Sequence, residues 1–183
     1  MKKFYILLFV VTLMGTLISS CKKDENSNLN KIEFDGNEYE LSTGYLEYYG
    51  IEYNEPQTHN FKILLVSNGV SVNYELGVQT GTGNAIYLEV YSTSSTELTP
   101  GIYNYDETAS HNANTFPWLG LRLNYDFSSI KSSVDAEITD GTLLVEKSGN
   151  NYKLTFEGTL SGEKPFSAYF EGSLEFHNMY LGK

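Results

Sequence analysis

Across 183 residues the chain has one cysteine, one tryptophan, four prolines and three histidines, and its only arginine is Arg122. Each scarcity excludes something. With Cys21 alone, no intrachain disulfide can form. None of His59, His111 and His177 has a second His or Cys at ligand spacing, so no metal site is expected. One arginine leaves almost no capacity for bidentate anion clamps. Twelve basic residues face 23 acidic ones, a formal charge of −11. Nucleic acid is therefore not an expected partner, because phosphate contacts need Lys and Arg. No Gly-x-Ser-x-Gly nucleophile elbow occurs. The apolar run Phe4–Met14 is too short to span a bilayer, which takes about 20 residues.

That run is nonetheless the core of an export signal. Lys2 and Lys3 supply a positive start, and the segment closes on Ile18-Ser19-Ser20-Cys21. An aliphatic residue, two small residues and a cysteine resemble the box of bacterial lipoprotein signals. The resemblance implies cleavage between Ser20 and Cys21 and a diacylglyceryl group on the Cys21 sulfur. The lipid bilayer is then a partner, since each buried methylene contributes about 0.8 kcal/mol and two or more chains anchor stably. Lys22-Lys23-Asp24-Glu25 and Asn26-Ser27-Asn28-Leu29-Asn30 follow, polar and almost free of apolar side chains, as in a solvated tether. A basic residue followed by two acids beside the acylated Cys resembles the export tag of Bacteroidota-type surface lipoproteins. The expected location is the outer membrane, on its external face, with a periplasm-facing anchor as the alternative. The expected organisation is a signal at 1–20, a lipidated tether at 21–30 and one domain at 31–183. Residues 1–20 hold two lysines and no acid, so the mature chain sets ten basic residues against 23 acidic ones, a charge of −13.

Fifteen tyrosines, ten phenylalanines and sixteen glycines make a β composition. Apolar and polar residues alternate along Val70–Val78, Ile86–Tyr91, Leu119–Asp126, Val134–Ile138, Tyr152–Glu157 and Phe166–Phe176. That period of two predicts strands with one buried and one wet face. Phe61–Val66 is apolar on both faces and reads as a central strand. Turns are expected at Asp35-Gly36, Asn68-Gly69, Asp140-Gly141, Gly149-Asn150 and Ser161-Gly162. The prediction is a single antiparallel all-β domain, a β-sandwich first and a closed or partly open barrel second. In the barrel alternative, Gly158 and Gly172 of the echoed Phe156-Glu157-Gly158-Thr159-Leu160 and Phe170-Glu171-Gly172-Ser173-Leu174 sit at corners. Ile32–Leu41, Gly44–Gly50 and Thr142–Leu160 also resemble small Bacteroidota-type lipoproteins. That resemblance implies a β-sandwich-like fold and no agreed activity.

The functional candidates are aromatic. His111-Asn112-Ala113-Asn114-Thr115-Phe116-Pro117-Trp118 is a polar loop that ends on the only tryptophan. Asn and His donors beside Phe116 and Trp118 suit a sugar ring, and loops on rigid scaffolds often carry such residues. Alternatively, Trp118 opens the next strand and is buried with Leu119 or Leu121. Tyr48 belongs to a second patch with Tyr45, Tyr49 and Tyr53, in which alternation sets Tyr45 and Tyr49 on one face and Tyr48 on the other. The carboxylates Glu89, Glu137, Glu157, Glu171 and Glu175 alternate onto wet faces. Asp106-Glu107 and Asp126 lack the spacing of a calcium loop. The sequence therefore predicts a non-enzymatic, cofactor-free binding protein with a glycan as leading ligand. A structural or adhesive subunit with a protein partner comes second, and a glycoside hydrolase third.

Overall fold

The computed structural model describes residues 30–52, 57–129 and 136–180. The signal, Cys21, Tyr53 and the tether as far as residue 29 lie outside the described residues. Eleven strands follow: β1 Lys31–Phe34, β2 Asn37–Glu40, β3 Thr43–Glu52, β4 Thr58–Val66, β5 Val70–Asn73, β6 Val78–Ser92, β7 Gly101–Tyr105, β8 Thr115–Asp126, β9 Ala136–Ser148, β10 Asn151–Leu160 and β11 Lys164–Asn178. The fold is all-β, and it takes the closed-barrel arrangement. Eight strands run round the ring in the order β3, β4, β6, β8, β7, β9, β10, β11.

The ring closes because β11 changes partner along its length. Lys164–Ser173 pairs with β10, and Leu174–Asn178 then runs parallel to Gly44–Tyr48 of β3. Among the described residues, β8 and β9 pair directly at Gly120–Leu121 and Ala136–Glu137. Farther along they separate, and β7 fills the gap, parallel to β8 and antiparallel to β9. The β1–β2 hairpin pairs with β11 beside β10's partner segment. Its turn places Asp35 and Gly36 at φ of 52° and 75°, the left-handed pair that a two-residue hairpin requires.

One expected turn and one expected strand need correction. Asp140-Gly141 is not a turn but the middle of β9. Gly141 faces Gly158 across the ladder, and a Cβ on Gly158 would come 2.6 Å from the Asp140 carbonyl oxygen. The backbones approach there too closely for side chains, which lets the strands bend into the barrel wall. Conversely, Val70–Val78 is not one strand. Residues 74–77 turn, the Asn73 Oδ1 accepts the Leu76 N–H, and Leu76 points into solvent.

Inside the ring, the inward members of each alternation form one core, including Phe61, Ile63, Leu88, Phe116, Leu121, Leu143, Phe156, Phe166 and Phe170. Burying each such side chain contributes about 1.5–3 kcal/mol. The cavity between Ile63, Leu88, Leu154 and Phe156 is only about 20 Å³, the size of one water. The barrel is filled, as an eight-stranded ring allows. A second cluster lies outside the wall. The β5–β6 hairpin folds back over β4, and Val70 packs on Leu64, Val66 and Ala85, with Tyr45, Val72, Tyr87 and Phe127 around them. That is why Phe61–Val66 is apolar on both faces: one faces the barrel core and the other faces the hairpin.

Candidate functional site

With the interior filled, chemistry belongs to the outer face, and register decides which side chains meet there. Glu47 of β3 pairs with Lys62 of β4, Lys62 with Glu89 of β6, and Glu89 with Trp118 of β8. On the other side of β3, His177 of β11 pairs with Glu47. One outward row therefore crosses five adjacent strands as His177, Glu47, Lys62, Glu89 and Trp118.

Tyrosine hydroxyls hold both carboxylates of the row. Glu47 is buried, and its Oε1 accepts from Tyr74 at 2.7 Å while Oε2 accepts from Tyr49 at 2.8 Å. Tyr74 reaches it from the folded-back hairpin and stacks on His177 with ring centroids 3.6 Å apart. Glu89 Oε1 accepts from Tyr91 at 2.8 Å and from Asn60 Nδ2 at 2.7 Å. Burial, and then the carboxylate each hydroxyl serves, push Tyr49, Tyr74 and Tyr91 well above the ordinary phenol range. Lys62 Nζ, between the two acids, sits 4.4 Å over the Tyr49 ring. Trp118 is 41% exposed, and its ring lies over Gly120, where a Cβ would come within 2.7 Å.

Two elements stand beside the row. On one side, the hairpin covers the neighbouring outward row of Tyr45, Leu64 and Tyr87. On the other, the 106–114 loop covers Tyr91. His111 stacks on Tyr91 at 4.6 Å, its Nδ1 is 3.3 Å from Glu52 Oε2, and its carbonyl accepts from Thr58 Oγ1. The Asp106 carboxylate organises that loop by accepting from the hydroxyls and N–H groups of Ser110 and Thr108. Those bonds, the Ser110 hydroxyl first, lower its pKa to about 2.

The residues singled out in the sequence divide in two. Trp118 faces outward, while Leu119 and Leu121 face the core. His111, Asn112 and Asn114 lie on the loop that flanks the row; Asn112 Nδ2 donates to Ser110 Oγ, and Asn114 takes a φ of 60°. Phe116 is not at the surface. It is fully buried against Tyr105 and Phe156: although it shares Trp118's parity, the β6–β8 register slips between Glu89–Trp118 and Tyr91–Thr115, and that bulge turns Phe116 inward. Tyr48 is likewise inward and packs on Phe61, with its hydroxyl 3.1 Å from His59 Nδ1. Sequence reasoning missed Glu47, Lys62 and Tyr74. Glu47 carried a signal, a lone acid within Tyr45-Leu46-Glu47-Tyr48-Tyr49, but nothing local announces that Tyr74 would reach it. Among the described residues, no group of three His, Cys, Asp or Glu side chains is placed to hold a metal.

No family model, curated protein or solved structure matches the chain.

Proposed function

We propose that this is a lipid-anchored protein of the bacterial outer membrane, facing outward, whose barrel binds carbohydrate without turning it over. The carrying observation is the half-exposed Trp118 ring, laid over Gly120 and in register with Glu89 and Lys62. A sugar offers C–H bonds to an aromatic face and hydroxyls to a carboxylate and an ammonium. A few placed polar groups around an apolar surface fix orientation in such sites. The charge of −13 after removal of residues 1–20 disfavours polyanionic glycans. The lipobox at Ile18–Cys21 supports the anchor.

Trp118 is the only tryptophan, so its emission reports on this site alone. Titration of the mature chain with neutral polysaccharides is expected to change that emission saturably. The unfolding midpoint should rise too, by about 2.7 kcal/mol of stabilisation at a hundredfold excess over Kd, and the rise should vanish in Trp118→Ala. No response to any neutral polysaccharide overturns the reading, and release of reducing ends in the same mixtures replaces binding with hydrolysis. For the anchor, Cys21→Ser should move the protein from the membrane to the soluble fraction. A second reading, a docking subunit, draws on the outer edge of β2, which is unpaired among the described residues. A stoichiometric partner co-purifying from membranes would favour it.

A further inference from the structure

Resting on that reading, we infer that the ligand is an extended, uncharged glycan chain lying across the strands, held at two aromatic subsites, Trp118 and Tyr49. Tyr49 is the extra residue of a bulge, since the β3–β4 register slips between Tyr48 and Gly50. The slip leaves Tyr49 on the outer face, 36% exposed. Its ring is fixed twice, by the hydroxyl on Glu47 and by Lys62 over its face. A bare surface tyrosine has no such constraints, and a pre-oriented ring binds with less loss of side-chain freedom.

The second ring stands apart from the first. β3 and β8 are separated by β4 and β6, which sets the two backbones about 14 Å apart at three strand spacings. On the convex outside of a barrel the side chains diverge further. A single pyranose cannot touch both rings, whereas a chain of several can. Lys62 and Glu89 lie between them, a donor and an acceptor for hydroxyls along the way. The hairpin and the 106–114 loop flank this line on both sides, so an occupant follows the row and not the strand direction. Glu47 and Glu89 outnumber Lys62 along the row, which disfavours an anionic chain. An uncharged chain should bind with little dependence on salt, because no ion pair with the ligand is there to be screened.

The test uses linear glucan and mannan oligomers from monosaccharide to hexasaccharide, titrated into the mature chain. Trp118 emission and calorimetry are the readouts. Affinity should rise about tenfold or more from the shortest to the longest oligomers, as a second linked contact provides, and should change little with added salt. Tyr49→Ala should flatten that series while short sugars still shift the emission. Tyr49→Phe keeps the ring, and it should keep the length dependence. Equal affinity at every length overturns the inference and leaves carbohydrate binding standing, as does a Tyr49→Ala protein that unfolds at the wild-type midpoint and binds the hexasaccharide like wild type. If no oligomer or polymer moves the emission, both the inference and the binding reading fail.

Discussion

The ring of Trp118 lies across the backbone of Gly120, two residues along the same face of β8, so a Cβ at Gly120 would stand 2.7 Å from the ring's Cη2 and Cζ2. The glycine makes room for the ring to lie along the wall instead of projecting from it. Gly120→Ala should push the ring outward. The backbone accepts alanine there, since Gly120 is not in the left-handed region, and the ring is free to swing. Stability should therefore change by no more than about 0.5 kcal/mol. Emission should move to the red and glycan affinity should fall, as read by fluorescence and by the urea midpoint.

Tyr74→Phe removes one of the two hydroxyls on the buried Glu47 and leaves the stack on His177 in place. Loss of a hydrogen bond to a charged group should cost about 1–2 kcal/mol, after allowing for partial exposure of the site. The loss should concentrate in the hairpin. Amide exchange of Val70–Val78 should accelerate more than that of β10.

Phe116→Ala should lower stability by about 3–5 kcal/mol, because a fully buried ring leaves a cavity against Tyr105 and Phe156. Trp118→Ala should leave stability nearly unchanged and abolish the glycan response. Denaturant unfolding of the two variants separates a core aromatic from a surface one.

Tyr49, Tyr74 and Tyr91 keep their protons in the folded chain at pH values where the unfolded chain, with phenols near pKa 10, releases them. Their folded pKa values are raised, so the stability they carry is complete below about pH 10 and is lost as pH rises beyond it. A spectrophotometric titration at about pH 11 should count fewer tyrosinates in the native protein than in urea. The unfolding midpoint should fall over the same range.

Asp106 shifts the other way. Its folded pKa of about 2 lies below the ordinary value of 3.8, so its contribution is present above about pH 4 and disappears as pH falls toward 2. Asp106→Asn should unfold at a lower temperature than wild type near neutrality. The gap should close progressively between about pH 4 and 2 when both are scanned by calorimetry.

Much of the wall was legible along the chain. Alternation sorted Leu119, Leu121, Tyr152, Leu154, Phe156, Phe166 and Phe170 to the core, and the turns at Asp35-Gly36 and Gly149-Asn150 lie where their residue types demand them. Tyr45, Tyr48 and Tyr49 also fell on the faces their parity assigned. Trp118 was visible as a candidate because it is the only one of its kind. Alternation misled where it ran through a turn, at Tyr74–Gly77, since a period of two in side chains does not reveal a reversal of the backbone. Asp140-Gly141 misled for the opposite reason, because the glycine serves a close approach between strands and not a hairpin.

The sequence by itself determined that the domain is all-β, which side chains share a face along most strands, and that the only tryptophan stands beside a polar loop. These are local matters, set by side-chain period and turn chemistry within a few residues. Only the tertiary structure decided that β11 closes the ring onto β3, that Phe116 belongs to the core wall, and that Glu47, Lys62, Glu89 and Trp118 align. Partner choice and register between strands far apart in the chain depend on how the whole barrel packs. The row exists because five strands, each unremarkable alone, meet at one level, and because a hairpin folds back to set Tyr74 on Glu47.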